Sequence, residues 1–396
     1  MPSTRAMSIP HAPSLPRAVA LVAAGPLLLA LWGYFLSIRA HGPWGTQVFS
    51  SYWASGRALA TGANPYSWLP ETYSGYVDGK LVGDINLNPP VFLPICQLFA
   101  QAPMMLGAFG FIAVSALLYV ALVWMLADRT DAPAWKMGWA LLLPPMVDTV
   151  AMGQNYILLF VLALTAWRLL TLGRLTRSAV AVGLLIAFKP NFALALPALL
   201  LAGHPRYAIV AGLAAAGASL LPVLLYGPEI YGQWLHALAE PPRLGRPMAT
   251  ALPILLRKFE LPVWGLGLGA GVYLAALWMV WRRRPALAMA LPAGYALGLV
   301  CAPLAWFNYA LVLVPSLMAV RWNRPVAAGA LMLLVPVEWL GRPGPDQPLL
   351  AAAAWSYFPL AVALVFVGLL CERQIDPDHV ALGAGHRADD AEQADR

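Results

Sequence analysis

Charged residues are scarce in this chain. Of its 396 residues only 11% are Asp, Glu, Lys or Arg, whereas 60% are hydrophobic. A soluble domain has about a quarter charged residues, so the composition excludes a soluble globular protein of this size. Apolar stretches long enough to cross a bilayer need about 20 residues each, and the chain has many of them. The sequence therefore predicts an all-α, polytopic integral membrane protein.

Cysteines and the common cofactor motifs are also scarce or missing. Cys96, Cys301 and Cys371 lie too far apart in the sequence to indicate a metal site or a disulfide framework. We find no P-loop, dinucleotide fingerprint, zinc-ligand spacing or Ser-His-Asp set, and no Asp-x-Asp pair before the C-terminal tail. We predict no metal and no cofactor. The net charge of +7 is assigned to loop arginines beside anionic lipid, with no nucleic-acid partner.

The apolar segments divide the chain into a membrane domain and a tail. We predict about twelve membrane segments, near residues 17–38, 105–127, 137–151, 154–172, 178–189, 191–203, 207–226, 263–281, 286–302, 307–320, 326–340 and 349–371. The first is interpreted as a retained anchor, because it lacks a small-residue cleavage site. Residues 1–371 would form one transmembrane domain, and residues 372–396 a polar, disordered, cytoplasmic tail.

The basic residues predict the orientation. With the N-terminus in the cytoplasm, every short basic loop falls on the inner side, including those with Arg129 and Lys136, Arg282 to Arg284, and Arg321. This places both termini in the cytoplasm and the protein in the plasma (inner) membrane. The long segments 39–104 and 227–262 then lie outside. The first is predicted to contain an amphipathic helix near 47–61, a Tyr- and Gly-rich loop over 62–88, and a Pro-bounded helix over 89–102.

Lys189 is the residue that most strongly indicates function. It lies between two apolar runs that are each short for a full crossing, and Pro190 interrupts the backbone after it. Lysine at membrane depth is costly, so it typically marks a site for an anion, a substrate or a partner carboxylate. Broken helices at that depth face protein or a cavity. Gly153, Gln154 and Asn155 form a second polar interruption.

Several short motifs, in this order, resemble one family. They are FSSYWA at 49–54, GANPY at 62–66, NPPVFLP at 88–94, GQNYILL at 153–159, AFKP at 187–190, GPEIYGQWL at 227–235 and APLAWFNY at 302–309. Together they resemble the membrane glycosyltransferases of family 87, which have the GT-C architecture. The resemblance implies transfer of a hexosyl group, usually mannose, from a polyprenyl-phosphate donor to a lipid or glycan acceptor on the extracytoplasmic face.

Two positions depart from the family pattern. The family's catalytic aspartate is expected where this chain has Gln47 and Val48, and a family histidine is expected where it has Asn308 or Tyr309. Another carboxylate would then have to act as the base, and we single out Asp84 and Asp148 as catalytic candidates. Asp84 could instead be a turn residue, and Asp148 could instead pair with Lys189.

The donor phosphate and sugar need cationic and polar side chains. Candidates are Lys189, Gln154, Asn155, Arg257, Lys258, Trp306 and Asn308. Simpler interpretations remain for each: Lys189 could extend to the outer surface, Arg257 and Lys258 could anchor at the interface, and Trp306 could belong to an aromatic belt. Gln154 and Asn155 could simply satisfy broken backbone. At the level of function, the alternatives are a lipid-linked-sugar flippase or transporter and a non-catalytic relative.

Overall fold

The computed structural model describes residues 22–69, 74–77, 80–83, 85–239, 251–253, 262–336 and 348–371. The N-terminal half contains α1 Gly25–His41, α2 Phe49–Ala60, β1 Ser74–Val77, β2 Lys80–Gly83, α3 Leu93–Phe99, α4 Met104–Arg129, α5 Ala134–Leu141, α6 Pro144–Ala151, α7 Ile157–Thr171 and α8 Leu175–Phe188. The C-terminal half contains α9 Ala195–Leu201, α10 Pro205–Tyr226, α11 Glu229–Ala239, α12 Pro262–Arg283, α13 Leu287–Cys301, α14 Val314–Ala319, α15 Arg324–Met332 and α16 Pro348–Cys371. Short 3₁₀ segments occur at Gly42–Thr46, Pro90–Phe92, Pro190–Leu194 and Phe307–Leu313.

The prediction of a helical membrane protein is confirmed. Three helices in the described part are long and apolar enough to cross a bilayer: α4, α10 and α12. Their bounds lie within three residues of the predicted segments 105–127, 207–226 and 263–281. Further apolar helices, including α7, α8 and α13, are shorter than 18 residues. The total of about twelve crossings stays a prediction.

Prolines explain why several predicted segments are broken. The segment predicted over 137–151 is divided between α5 and α6, which begins at Pro144. The segment predicted over 191–203 begins as a 3₁₀ turn at Pro190 before α9. A residue before proline is disfavoured in the helical conformation, and proline itself cannot donate the next helical hydrogen bond. Each break therefore follows from the sequence.

The first outer segment differs in part from its prediction. Its amphipathic helix is present as α2, and α3 follows Pro89 and Pro90 as expected. The region predicted as a loop over 62–88, however, contains an antiparallel hairpin in which Ser74 pairs with Gly83 and Val77 with Lys80. The prediction of a loop there was wrong, and the intervening Asp78-Gly79 is a typical hairpin signal.

The helices pack closely through small residues. A Cβ added to Gly183 of α8 would lie 2.5 Å from the backbone oxygen of Ala211 in α10. Without a side chain at this position the two helices approach each other, which is a common way to pack helices within a bilayer. This contact fixes α8, whose C-terminal end presents Lys189.

Long-range contacts distinguish two ends of the helical body. At the end that holds the arginine-rich loops, Lys136 donates hydrogen bonds to the carbonyls of Met318 (3.1 Å) and Val320 (2.5 Å). Lys136 was predicted to lie in an inner loop, but it belongs to α5 and is buried. Its ammonium satisfies carbonyls where α14 ends, which is a favourable place for a cation. The opposite end contains the polar residues described next.

Candidate functional site

Lys189 lies at the junction of α8 and the following 3₁₀ turn. Its φ and ψ of −141° and 94° are extended, because Pro190 disfavours continuation of the helix. The side chain is turned into the protein, where the residue is only 6% exposed. The alternative in which Lys189 extends to the outer surface is therefore excluded.

The hydrogen-bond acceptor of Lys189 is a neutral amide. Lys189 Nζ donates to Asn88 Oδ1 over 2.7 Å, linking residues that are 101 positions apart. Asn86 fixes the orientation of that amide, since Asn86 Oδ1 accepts from Asn88 Nδ2 (2.9 Å) and from the Asn88 backbone N–H (3.0 Å). Asn86 Nδ2 in turn contacts Cys96 Sγ at 3.6 Å. Asn88 Oδ1 is thereby left to face the ammonium.

Aromatic rings also lie close to Lys189 Nζ, including those of two tyrosines and of Phe188. The ring centroids of Tyr156 and Tyr309 lie 5.3 and 5.2 Å from Nζ. The two rings contact each other edge to face, with centroids 5.2 Å apart. A cation within about 6 Å of such ring centroids is stabilised by the negative ring faces. The partners that the structure gives Lys189 are thus neutral, and its positive charge is not cancelled by them.

Asp148 and Asn308 form the next pair of the site. Asn308 Nδ2 donates to Asp148 Oδ2 (2.8 Å) and to the carbonyl of Pro145 (3.0 Å), and Thr149 Oγ1 lies 3.4 Å away. Asn308 is buried, whereas Asp148 is half-buried. Asn308 binds the Asp148 carboxylate, and the next residue, Tyr309, contacts Lys189 through its ring. These two adjacent residues therefore connect the carboxylate to the surroundings of Lys189. The hydrogen bond of Lys189 goes to Asn88, in place of the alternative pairing with Asp148.

Gln154 and Asn155 follow a tight turn between α6 and α7. Gln154 Oε1 accepts a hydrogen bond from the hydroxyl of Tyr52 in α2 (2.8 Å). Asn155 is completely buried, and neither its Oδ1 nor its Nδ2 has a hydrogen-bond partner among the described residues. Buried amides without partners are rare in folded proteins and need an explanation. Asn155 directly precedes Tyr156, so its unused amide belongs to the same region as Lys189.

Gln47 and Val48, where the family's catalytic aspartate is expected, lie beside the turn between α6 and α7. Gln47 has a φ of +52°, which is uncommon for a residue other than glycine. The next residue, Val48, donates its N–H to the carbonyl of Met152 over 3.1 Å. Gln47 and Val48 therefore lie beside the polar interruption at Gly153 and Gln154. The segment that departs from the family pattern is part of the same region.

The predicted site residues divide into those the structure groups together and those it does not describe. Lys189, Asn308, Asp148, Gln154 and Asn155 all lie at one end of the helical body. Trp306 is half-buried next to them, and Asn191, two residues after Lys189, hydrogen-bonds the carbonyl of Leu304 in the same loop. Asp84, Arg257 and Lys258 lie outside the described residues, and their roles stay predictions.

Sequence reasoning missed four contributors: Asn86, Asn88, Tyr52 and Tyr156. Asn88 was noted only as the start of the NPPVFLP motif, although two asparagines just before a return to the membrane are an unusual polar cluster. The signal was present, but the pairing with Lys189 depends on tertiary folding. The described residues contain no group of three or more His, Cys, Asp or Glu side chains that could hold a metal ion.

Around Lys189, the described residues bring together a buried cation and a half-buried carboxylate. A buried ammonium without an ionic partner favours binding of an anion such as a phosphate, because the anion compensates for the hydration that burial removed. A half-buried carboxylate held by an amide can accept a proton from a hydroxyl. Unused amide and tyrosine groups between them can bind a polar, hydroxyl-rich molecule.

Comparison with known proteins gives one result. No curated protein and no solved structure matches the chain. The sequence profile of glycosyltransferase family 87 matches residues 86–315, which is more than half of the chain and includes Asn86, Lys189 and Asn308. The membrane-type helices, the polar residues gathered at one end and this match agree, and the chain belongs to glycosyltransferase family 87.

Proposed function

We propose that this membrane glycosyltransferase transfers a hexosyl group, most simply mannose, from a polyprenyl-phosphate donor to a lipid or glycan acceptor on the extracytoplasmic face. The observation that carries the proposal is the buried Lys189 ammonium, 6% exposed, with neutral partners. Negative charge grows on the departing phosphate during transfer, and a preorganised cation stabilises that charge. Lys189 and its hydrogen-bond acceptor Asn88 both lie in motifs that match the family pattern.

Asp148 serves as the base in this proposal. Deprotonation of the acceptor hydroxyl needs a group that can reach it and accept its proton. Asp148 is half-buried and is oriented by Asn308 over 2.8 Å. The family histidine is expected at Asn308 or Tyr309, and in this proposal Asn308 holds the carboxylate in place. Asp84, Arg257 and Lys258 remain further candidates for the base and for the phosphate.

The further donor contacts and the membrane orientation are proposed from the family resemblance and from the distribution of basic residues. Gln154, Asn155 and Trp306 would contact the donor, and about twelve crossings with both termini in the cytoplasm would put the site outside the plasma (inner) membrane. The polar end is opposite the end that contains Lys136 and the arginine-rich loops, which supports this orientation. The partners would be the polyprenyl-phosphate sugar, the acceptor and the bilayer.

The test is release of polyprenyl phosphate by purified protein in proteoliposomes. Labelled polyprenyl-phosphate-mannose is supplied with a membrane lipid extract, and acceptor-dependent release is measured for wild type, Lys189→Met and Asp148→Asn. Loss of one preorganised electrostatic group costs about 100-fold or more, so we expect at least that decrease in kcat/KM for Lys189→Met. Asp148→Asn should retain donor binding and lose transfer.

Lys136→Met is the matched control, because Lys136 is as buried as Lys189 but binds backbone carbonyls at the other end. We expect it to lower thermal stability and to leave the donor KM of the folded protein unchanged. Movement of the labelled lipid across the membrane without release of its sugar would favour the flippase. Neither release nor movement would favour a non-catalytic relative.

A further inference from the structure

A second, small cluster of buried side chains lies at the same end as Lys189 but apart from the main core. Its buried members are Tyr66, Leu93, Ile230 and Ala237, and the half-buried Tyr231 and Trp234 pack against them. It joins α11, from the second long segment, to the first long segment. Two hydrogen bonds fasten this junction: Tyr226 Oη donates to Gln97 Oε1 (2.7 Å), and Trp234 Nε1 donates to the Leu87 carbonyl (3.2 Å).

Two polar atoms at this junction are buried and unused. Tyr66 is 3% exposed, and its hydroxyl lacks a hydrogen-bond partner within the described ranges. The same is true of Gln233 Oε1. Gln233 lies three residues after Ile230 and four before Ala237, so helical spacing puts it on the face of α11 that carries both cluster residues. Leaving such atoms unpaired destabilises a protein, which suggests that a ligand uses them.

The Tyr66 hydroxyl is suited to be a hydrogen-bond donor. Burial raises its pKa well above the usual value for tyrosine, and the neighbouring Cys96, Tyr231 and Tyr226 raise the pKa further. It therefore keeps its proton throughout the physiological pH range. Gln233 Oε1 can only accept. A hydroxyl group both accepts and donates, so a hydroxyl-rich ligand could bind each of the two atoms.

The aromatic rings beside these atoms suit one face of a sugar. Tyr231 and Trp234 are half-buried and contact each other edge to face at 6.2 Å between centroids. Tyrosine and tryptophan combine a large apolar face with a polar group, so they can pack against the C–H face of a ring while other groups bind its hydroxyls. Apolar walls with a few convergent polar atoms are typical of small-molecule sites.

The position of the cluster relates it to the donor. The residue that accepts the Trp234 hydrogen bond, Leu87, directly precedes Asn88, which binds Lys189. We propose that Tyr66, Gln233, Tyr231 and Trp234 form a subsite for the sugar ring of the acceptor. This inference rests on the proposed transferase function, with Lys189 on the donor side. The acceptor would then be an already glycosylated molecule.

Binding can be tested without catalysis in nanodiscs. The thermal stability of wild type is titrated with octyl α-D-mannopyranoside, octyl β-D-glucopyranoside and, as a sugar-free control, octyl tetraethylene glycol. We expect at least one glycoside to raise Tm by several degrees more than the control. Tyr66→Phe should bind that glycoside at least fivefold more weakly, although the unliganded variant should be as stable as wild type or more stable.

Tyr295→Phe is the matched control, because Tyr295 is also buried and its hydroxyl is also without a partner in the described part of the chain. It lies in α13, packed against Phe192, and the variant should bind the glycoside as wild type does. Gln233→Ala is the second subsite variant and should weaken binding as Tyr66→Phe does. The subsite is overturned if no glycoside exceeds the sugar-free control, or if Tyr66→Phe binds normally. Neither result affects donor release by the wild type, which tests the transferase function separately.

Discussion

At the scale of single residues, the neutrality of the Lys189 partner is the main feature of the site. Asn88 supplies one oxygen to the ammonium, and Asn86 keeps that oxygen in place through two hydrogen bonds. An aspartate at position 88 would form an ion pair, and the lysine would then need no external anion. The use of asparagine leaves the charge of Lys189 available to a substrate.

The neutral partner of Lys189 predicts the effect of Asn88→Asp. A hydrogen bond to a charged group contributes about 1.5–3 kcal/mol, so an internal carboxylate should weaken donor binding about tenfold or more. Folding should be retained, because the new ion pair offsets the hydrogen bond from the Asn88 side chain to Asn86 that the substitution removes. The donor KM in the release assay and the Tm of each variant are the measurements.

Asn88→Ala provides the comparison. It removes the amide without adding a negative charge, so it should lower stability while donor affinity stays within a few-fold of wild type. If Asn88→Asp binds donor as well as wild type does, Lys189 does not hold the donor phosphate.

At the scale of elements, the turn between α6 and α7 determines where Gln154 and Asn155 lie. Gly153 has a φ of +66°, and a Cβ added there would lie 2.6 Å from Tyr34 Oη and 2.9 Å from the Thr46 carbonyl. Those two atoms hydrogen-bond each other over 2.8 Å. The turn therefore approaches the first helix and the 3₁₀ segment so closely that only glycine fits.

Gly153→Ala should consequently lower both stability and activity. The left-handed conformation costs alanine about 1–2 kcal/mol, and disturbing the Tyr34 hydrogen bond adds about 1 kcal/mol. Gly173→Ala is the control, since Gly173 has a φ of +69° but no atom within 4 Å of an added Cβ. It should incur only the backbone cost and retain donor affinity.

Thermal denaturation and the donor KM check this prediction. Adding Tyr34→Phe to Gly153→Ala should recover part of the lost stability, because the hydroxyl that meets the new methyl group is gone. Equal effects of the two glycine variants would show that the close approach at Gly153 is unimportant.

The sequence predicted the positions of the helices far better than it predicted which side chains pair between them. Hydrophobic runs gave α4, α10 and α12 within three residues of their bounds, because the cost of exposed backbone in lipid leaves few alternatives to helix. The same information identified Lys189 and the GQN interruption. It could not pair Lys189 with Asn88, which is 101 residues away, since side-chain pairing across a bundle depends on how helices rotate and pack. The pairing of Ser74–Val77 with Lys80–Gly83 was missed, although the sequence between the two strands is Asp-Gly.

At the scale of the whole molecule, the long-range hydrogen bonds fall into two groups, one at each end of the helical body. Tyr52 with Gln154, Lys189 with Asn88, and Asn308 with Asp148 join segments at one end. At the other end, Lys136 contacts Val320, and His204 Nε2 lies 3.0 Å from the Pro285 carbonyl. Successive helices that run in opposite directions explain this division. Under the orientation that we propose, the arginines near Lys136 and Pro285 would place this second end in the cytoplasm.

Single cysteines can test that assignment. Cys96 and Cys301 are buried, and Cys371 is exposed, so Cys371→Ser provides a background with little reactive thiol. Ser67 lies at the end that holds Lys189, Thr171 lies at the opposite end, and both are exposed. In this background we expect a membrane-impermeant maleimide to label Ser67→Cys in intact cells and Thr171→Cys only after the membrane is opened. The reverse pattern would place Lys189 on the cytoplasmic side, where the donor would have to be presented from within the cell. Labelling of both cysteines from outside would place Ser67 and Thr171 on the same side of the membrane. It would contradict the separation of a polar end, where we propose that substrate binds, from a basic end.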